Sequence, residues 1–562
     1  MASDSGKPAT GPHVPPASNA AGSLPALPMG LRIELDQDTK RLGDGSLFGG
    51  SPARVMRLTP AGTTALAELQ AGPVCSAAAG QLARRLTDAG LAHPVFADTR
   101  LAAAGSADAG PADTGPADTG PADTGPADTG PADTGPSASS GERSDAQRDT
   151  ATVTVIIPVR NRPAMLERCL TAAGNRHPVI VVDDGSADPD AIATIAARHG
   201  AELRRRAANG GPAAARNTGL AGIETDLIAF LDSDCVPPSG WVGRLALHFA
   251  DPLAGAVAPR VVPISSLASR EAAGRPAAAR YVAACGSLDL GSRPARVLPN
   301  SRVAYVPTAA LVVRRSALDS LAAGRPPFDP ALRYGEDVDL IWRLHEAGWR
   351  IRYEPSVQVA HDDPASWAGL LERRFRYGTS AAPLARRHPA NLAPLVLHPW
   401  PGATVAALLA RRPAAAAAGL AGAWFDLTTA LRRAGVPADG TPAATVTAVR
   451  QTWLGIGRYA TQFGVPAVAL ALARPGGRSV ARRWGRRAAA ASLLLGPALN
   501  THAECKPELD PVRFTLARIA DDICYGAGVW AGCLRERTLV PVKPVVSLRP
   551  LRLSGRRSNG ED

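Results

Sequence analysis

Cysteine pairs suited to metal or redox chemistry are absent from this sequence. Its 562 residues include seven cysteines, none of which lies in a C-x-x-C motif. Neither a zinc site nor a disulfide framework is therefore expected, and a reducing cytosol suits this cysteine usage. The first residues also lack a basic segment followed by an apolar one, so we expect no secretion signal and a cytoplasmic protein.

Long apolar runs are scarce as well. The longest, at 413–425, 463–473 and 488–499, have roughly a dozen residues each, whereas a helix that spans a bilayer needs ~18 to 20. These runs indicate buried or interfacial helices.

Aromatic residues make up only 4 % of the chain, and the formal net charge is +12. The arginines that carry most of this charge toward the C-terminus are not interleaved with aromatic residues, so we expect no nucleic acid partner. The charge leaves two other partners open, an anionic membrane surface and a phosphorylated substrate.

Composition divides the chain into five segments. Residues 1–28 are rich in proline, alanine and serine, which predicts a disordered tail. Residues 29–98 have a strand–helix–helix pattern that suggests a small winged-helix-like N-terminal domain. Residues 99–150 carry repeats of ADTGP and are predicted to be a disordered linker. Residues 151–390 alternate strand and helix patterns, and residues 391–562 form a mostly helical, arginine-rich C-terminal region.

The segment 151–390 predicts an α/β fold with a Rossmann-like, mostly parallel sheet. The runs TVTVIIP and HPVIVVDDGS are continuous and β-branched, as expected for strands that are buried on both faces. Helical patterns separate the runs. Ligands of such sheets bind at the carboxyl ends of the strands, so polar residues at those ends are candidates for a site.

Four polar clusters occupy these strand ends. They contain, in chain order, Pro158 and Arg160, then Asp183 and Asp184, then Asn209, Gly210, Gly211 and Arg216, and finally Asp232 and Asp234. The glycines precede a helix, whose N-terminal N–H groups suit a diphosphate. The two aspartates of the D-x-D motif repel each other unless a hard cation such as Mg²⁺ or Mn²⁺ lies between them and a phosphate.

Each cluster has a structural alternative when it is taken alone. DDGS is a common turn, an exposed helical arginine is common, and D-x-D occurs often by chance. Together and in this order, the clusters predict a site for a nucleoside diphosphate and a divalent cation.

Three later segments add further candidates. Glu336 and Asp337 open a predicted helix, although acidic residues favour the first helical turn anyway. His361 ends another predicted strand, where a lone histidine is often structural. Arg373 and Arg374 lie on a predicted helix, for which a solvated basic face is the alternative.

The ordered motifs over residues 152–365 resemble those of the family 2 glycosyltransferases, which have the GT-A fold. The resemblance implies that Pro158, Arg160 and Asp184, with Asp183 at the same rim, contact the nucleobase and ribose. It implies nucleotide contacts for Asn209, Gly210, Gly211 and Arg216. Asp232 would face the ribose and the metal, and Asp234 would be the principal metal ligand.

The same resemblance implies an inverting reaction. Asp337 would be the general base, and His361 would be a further metal or diphosphate contact. Glu336, Arg373 and Arg374 are left as candidates for contacts to the acceptor or the diphosphate.

The N-terminal stretch LRIELDQDTKRLGDGSLFGGSPARVMRLTPAG and the arginine-rich tail resemble the mycofactocin-system glycosyltransferases. This resemblance implies a UDP-glucose donor, a pre-mycofactocin acceptor and extension of a β-1,4-linked oligoglucose chain. The alternative is a transferase at the inner face of the cell membrane that acts on a lipid or polysaccharide acceptor, with peripheral membrane contact through the C-terminal region. A sugar-nucleotide-binding protein without activity is disfavoured, because it needs no base at Asp337.

Overall fold

The computed structural model describes residues 24–42, 45–96, 151–267, 274–321, 324–433, 438, 440–473 and 480–547. The predicted linker at 99–150 lies outside the described residues, and so does the predicted tail up to residue 23. Leu27, in the last part of that predicted tail, is buried in the core of the N-terminal domain. Ordered structure therefore begins before residue 29.

The N-terminal domain consists of short strands and two helices. Its elements are β1 Arg32–Leu35, β2 Lys40–Arg41, β3 Leu47–Gly49, β4 Arg54–Met56, α1 Pro60–Ala71, α2 Ala77–Ala89 and β5 Ala92–Val95. Strands β1 and β5 pair antiparallel, and β2 to β4 form a second antiparallel sheet. The side chains of Thr59 and Ser76 accept backbone N–H groups and cap the two helices, as such residues favour. The likeness to a winged-helix domain stays a prediction.

The central domain alternates strands and helices. Its elements are β6 Val153–Val159, α3 Pro163–Ala173, β7 Val179–Asp184, α4 Pro189–Arg198, β8 Glu202–Arg206, α5 Pro212–Leu220, β9 Leu227–Leu231, β10 Cys235–Val236, α6 Trp241–Ala246, β11 Ala254–Pro263, α7 Ile264–Leu267, α8 Ala277–Cys285, β12 Ala295–Arg296, β13 Ala310–Arg314, α9 Arg315–Asp319, α10 Glu336–Glu346, β14 Arg350–His361, α11 Trp367–Thr379 and α12 Ala381–Arg387.

These strands form one nine-stranded sheet in the order β10-β14-β11-β13-β9-β6-β7-β8, with β12 paired to β14. The pairings make β6, β7, β8, β9, β11 and β14 run in one direction, and β10, β12 and β13 in the other. The prediction of a mostly parallel α/β sheet is confirmed.

The sheet is buried on both faces, because the β-branched runs present apolar side chains alternately to each side. Val155 and Ile157 pack into one core cluster, and Ile156 packs into the cluster on the other face. Burying each such side chain contributes ~1.5–3 kcal/mol. Five consecutive buried residues form β9, so this strand is a firm support for the polar turn that follows it.

The C-terminal region is mostly helical, as predicted. Its elements are β15 Val396–Leu397, α13 Pro399–Leu409, α14 Pro413–Arg433, α15 Thr441–Phe463, α16 Val465–Ala473, α17 Val480–Cys505, α18 Pro511–Glu536 and β16 Val545–Val546. Helix α18 packs closely on α11, because glycines line the contact. A Cβ atom on Gly378 would lie 2.2 Å from the backbone oxygen of Tyr525, and one on Gly528 would lie 2.0 Å from that of Phe375.

One apolar run extends further than its sequence indicates. The run at 413–425 continues into the 21-residue helix α14, whose mean hydropathy reaches 1.2 over 18 residues. In the described part of the chain, this is one helix long and apolar enough to cross a membrane, and 28 % of that window is buried inside the protein. The run at 413–425 is therefore part of a longer helix than its sequence indicates, and its interpretation as a buried or interfacial helix stays a prediction.

The N-terminal domain is attached to the sheet by one buried and one partly buried ion pair. Arg84 donates two hydrogen bonds, of 2.8 and 2.6 Å, to Asp251. Arg350, the first residue of β14, donates two of 2.7 Å to Asp88. His361 ends the same strand, and a strand of this length spans roughly 35 Å. The N-terminal domain thus lies near the end of the sheet opposite to the predicted site.

Candidate active site

Asp232 and Asp234 lie in a tight turn directly after β9. The N–H of Asp232 donates to Ala309 (2.9 Å), and the N–H of Cys235 donates back to the carbonyl of Asp232 (2.9 Å). The carbonyl of Asp234 accepts the N–H of Asp362 (2.9 Å). Because the backbone is bonded on both sides, the two carboxylates are held at the carboxyl end of the sheet, as predicted.

Arg216 joins this turn to the helix that begins at Glu336. Its guanidinium is buried, and it donates to Asp232 Oδ1 at 2.6 Å and to Glu336 Oε1 at 2.7 Å. It also lies over the ring of Phe328, 5.6 Å from the centroid. Removing one partner of such a buried pair typically costs ~3–5 kcal/mol. Arg216 therefore fixes the D-x-D turn relative to the start of α10.

The two carboxylates at the start of α10, Glu336 and Asp337, both have raised pKa values. Burial raises the pKa of Glu336 to about 7, and the negative charge of Asp337 adds to the effect. Burial also raises the pKa of Asp337, although its Oδ1 accepts the N–H of Val338 at 2.8 Å. A carboxylate with a raised pKa is a better proton acceptor near neutral pH.

Asp234 has one oxygen paired and one without a hydrogen bond. Its Oδ2 accepts from Arg162 Nη1 at 2.6 Å. Its Oδ1 is buried, forms no hydrogen bond within the described residues, and lies 3.6 Å from His361 Nε2. Burial by itself lowers the pKa of His361. The carboxylates of Asp363, 3.3 Å from Nδ1, and of Asp234 have the larger, opposite effect, so the pKa is raised overall.

These oxygens are suitable for a hard divalent cation that is shared with a substrate. Among the described residues, no group of three or more His, Cys, Asp or Glu side chains is arranged to hold a metal by itself. The buried Oδ1 of Asp234, two residues from Asp232, is nevertheless an acceptor without a hydrogen bond. Carboxylate oxygens completed by phosphate oxygens are usual for Mg²⁺, so the donor set fits such an ion.

Asp184 holds the glycine loop. Its Oδ1 accepts the N–H of Gly210 at 2.9 Å and Arg206 Nε at 2.8 Å, and its Oδ2 accepts the N–H of Gly211 at 2.8 Å. Asn209 Oδ1 also accepts the N–H of Gly211, at 3.0 Å. Gly211 has φ +87°, which favours glycine. The two amides predicted to face a diphosphate are thus bonded to Asp184.

Asp183 has one carboxylate oxygen that is hydrogen-bonded and one that is not. It is fully buried, and its Oδ1 accepts the N–H of Ser186 at 2.9 Å. Its Oδ2 forms no hydrogen bond in the described part of the protein. Pro158, on the neighbouring strand, is paired in register with Val182. Of the two aspartates in DDGS, Asp183 is therefore the one with an oxygen that forms no hydrogen bond, and Arg205 Nε lies 3.9 Å from that oxygen.

Two hydrogen bonds join the loop after β6 to the loop after β7. The N–H of Asn161 donates to Ser186 Oγ at 3.0 Å, and Asn161 Oδ1 accepts the N–H of Ala187 at 2.7 Å. Arg160, the predicted contact, is exposed, whereas Arg162 of the same motif reaches Asp234. Sequence reasoning missed Arg162, although its position within PVRNRP is a signal that could have included it.

Arg373 and Arg374 both form ion pairs. Arg373 pairs with Asp363, and Arg374 donates to Asp521 Oδ1 at 2.5 Å while lying 5.2 Å over the ring of Tyr525. The alternative of a solvated basic face is therefore wrong for these two side chains. Arg374 instead links α11 to α18 beside the site.

Comparison with known proteins assigns this geometry to a family. A model of glycosyl transferase family 2 matches residues 154–321. The pre-mycofactocin glycosyltransferase of Mycobacterium tuberculosis, in strains CDC 1551 / Oshkosh and ATCC 25618 / H37Rv, is 36 % identical over 537 residues, which cover 92 % of this chain and 98 % of that protein. The chain belongs to the pre-mycofactocin glycosyltransferase family. Membership makes it a glycosyltransferase with a nucleotide-sugar donor and a glycosyl acceptor, and it confirms the resemblance found in the sequence.

Other proteins match a smaller part of the chain. Glycosyltransferase AglE of Haloferax volcanii is 27 % identical over 250 residues, 40 % of this chain and 71 % of that protein. A solved structure, the mannosyltransferase PcManGT from Pyrobaculum calidifontis in complex with GDP-Man and Mn²⁺, is 20 % identical with a TM-score of 0.32. The match covers 62 % of this chain and 88 % of the mannosyltransferase chain.

Proposed function

We propose that this protein transfers glucose from UDP-glucose to pre-mycofactocin and then extends a β-1,4-linked oligoglucose chain. The observation that carries the proposal is the 36 % identity over 92 % of the chain. A likeness confined to the transferase domain would leave the acceptor open, whereas a match over 92 % of the chain extends well beyond residues 151–390. Transfer would take place in the cytoplasm.

The reaction that suits this site is a single in-line displacement with inversion. Asp337 takes the proton of an acceptor hydroxyl while that oxygen bonds to the anomeric carbon of the donor. The bond from that carbon to the diphosphate breaks on the opposite face, and UDP leaves with the electron pair. Arg216 supports this step by holding Asp232 and Glu336, and through them the two halves of the site, at a fixed separation.

Donor binding would depend on a divalent cation, Mg²⁺ or Mn²⁺, held by Asp234 and Asp232. When bound, such a cation neutralises the charge that develops on the leaving diphosphate. Asp183 offers the nucleobase a buried acceptor, and Pro158 lines the neighbouring strand. His361 is placed beside Asp234, where its imidazole can contact the same metal or the diphosphate.

A second candidate function is transfer to a lipid or polysaccharide at the inner face of the membrane. The observation that favours it is the apolar surface of the C-terminal helices. Phe425 on α14 is 70 % exposed and Leu534 on α18 is 78 % exposed. Helix α14 is also long and apolar enough to cross a bilayer.

Mass spectrometry of reaction products distinguishes the two candidates. We expect the enzyme, incubated with pre-mycofactocin, UDP-glucose and Mn²⁺, to yield a series of products that differ by one hexose each. A parallel incubation with a membrane lipid extract is the control for acceptor identity. Hexose addition to the lipid and none to pre-mycofactocin would overturn the proposed acceptor and leave the glycosyltransferase assignment intact.

A further inference from the structure

The chain has seven tyrosines, and their hydroxyl groups fall into two sets. Three hydroxyls donate structural hydrogen bonds: Tyr281 to Asp521 at 3.1 Å, Tyr353 to the carbonyl of Gly291 at 2.6 Å, and Tyr459 to the carbonyl of Val542 at 2.6 Å. The hydroxyls of the other four form no hydrogen bond within the described part of the chain. These four are Tyr305, Tyr334, Tyr377 and Tyr525.

The four tyrosines without a bonded hydroxyl form one group beside the start of α10. Burial raises the pKa of Tyr305 and of Tyr377, and the negative charge of the nearby Asp337 adds to the effect on both. Tyr334 is three residues before Asp337, and its ring packs edge to face on that of Tyr377, with centroids 6.5 Å apart. Tyr525 contacts Arg374, whose guanidinium lies over the tyrosine ring, 5.2 Å from the centroid. Arg374 precedes Tyr377 by three residues on α11, which puts the two side chains on neighbouring positions of one helix face.

Tyr305 belongs to the same group. The carbonyl of Ala304 accepts Trp342 Nε1 at 2.9 Å, which ties this loop to α10. Burial of its hydroxyl raises the pKa of Tyr305 to about 12, and the nearby carboxylate of Asp337 and phenol of Tyr525 add to the effect. Its side chain is nevertheless 37 % exposed, and the other three tyrosines of the group are partly exposed.

The four rings come from parts of the chain that are far apart in sequence. Tyr305 and Tyr334 are in loops of the central domain, Tyr377 is on α11, and Tyr525 is on α18 of the C-terminal region. The close glycine contact between α11 and α18 brings Tyr525 to the site. Partly exposed rings with unpaired hydroxyls, gathered beside a general base, have the composition of a binding surface rather than of a core.

We propose that Tyr305, Tyr334, Tyr377 and Tyr525 form an acceptor subsite that binds a pyranose ring of the growing glucan, and that α18 completes it. This inference rests on the proposed function. A glucose ring has an apolar C–H face that packs on an aromatic ring and hydroxyls that bond to phenols. Tyrosine supplies both kinds of contact, because it has an apolar body and a polar tip.

Calorimetric titration with cellotetraose, a β-1,4-linked glucan, tests the subsite without requiring turnover. The full chain is titrated in the presence of UDP and Mn²⁺. We expect binding by the wild type and about tenfold weaker binding by Tyr305→Ala and Tyr525→Ala, as the loss of one aromatic contact implies. UDP binding should stay within twofold of wild type in both variants, because these rings contact the acceptor and not the nucleotide.

Phenylalanine variants keep the experiment decisive if an alanine variant does not fold. Tyr305→Phe and Tyr525→Phe retain the ring and lose the hydroxyl, so we expect about threefold weaker glucan binding, the loss of one hydrogen bond. Tyr459→Phe is the matched control, since its hydroxyl bonds to a backbone carbonyl of the C-terminal region, and it should bind cellotetraose as the wild type does.

Three results would overturn the subsite: no binding of cellotetraose by the wild type, equal binding by wild type and the Tyr305 and Tyr525 variants, or equal weakening by Tyr459→Phe. The subsite and the proposed function fail separately. Glucan binding that the variants weaken, without hexose transfer to pre-mycofactocin, would contradict the proposed acceptor alone. A normal product series with unchanged glucan binding in every variant would contradict the subsite alone.

Discussion

Asp337→Asn lowers the turnover number by ~10²- to 10⁴-fold, the usual effect of losing a general base. The amide has nearly the shape of the carboxylate but cannot accept a proton from the acceptor hydroxyl. Its oxygen can still accept the N–H of Val338, which Asp337 Oδ1 bonds at 2.8 Å, so the start of α10 should stay in place. Steady-state kinetics with saturating donor and acceptor measure the change.

Glu336→Gln is the matched control for this prediction. The glutamine oxygen can still accept from Arg216, which reaches Glu336 at 2.7 Å, so we expect a smaller loss of turnover than in Asp337→Asn. UDP binding by both variants should equal that of wild type. Near-normal turnover of Asp337→Asn, or a larger loss in Glu336→Gln, would show that Asp337 is not the base.

Asp234→Ala should weaken metal-dependent UDP binding by more than ~100-fold. Loss of an outer partner of a metal ligand already costs ~10- to 100-fold in metal affinity, and Asp234 is proposed as a direct ligand. The alanine removes the buried Oδ1 that has no hydrogen bond, and it leaves Asp232 as a lone carboxylate. Isothermal titration calorimetry, in which Mn²⁺ is titrated into a mixture of enzyme and UDP, measures the effect.

Asp362→Ala is a matched control for the metal prediction. Asp362 lies at the same rim, where its side chain pairs with Arg168 at 2.7 Å and its N–H donates to the carbonyl of Asp234. Its backbone bond survives the substitution, so Mn²⁺-dependent UDP binding should be retained. UDP binding by Asp234→Ala that responds to Mn²⁺ as the wild type does would contradict the assignment of this residue as a ligand.

The fold was largely predictable because its signals are local. Continuous β-branched runs indicated the buried strands β6, β7 and β9, and the strand ends then located the polar clusters. The length of α14 was not predictable from the run at 413–425, because residues after Phe425 continue the helix with a mixed, less apolar composition. The attachment of the N-terminal domain was also hidden, since the Arg84–Asp251 ion pair joins residues that are 167 positions apart.

The partners of individual site residues could not be predicted in the same way. Sequence placed Arg216 near the nucleotide, but its bond to Glu336, 120 residues further on, depends on how α10 packs against the sheet. Asp184 and Asp183 are adjacent and chemically identical, and their different roles depend on which one faces the glycine loop. The presence of Tyr525 in the tyrosine group depends on the packing of α18 on α11, which no local pattern encodes.

The central claim of this account is a single in-line displacement between the D-x-D turn and Asp337. Proton NMR of the first glycosylated product tests it most directly, because inversion of the α-linked glucose of UDP-glucose must give a β-linked product. We predict the large anomeric coupling constant of a β-glucoside. An α-linked product would contradict the single displacement and the role of Asp337 as its base.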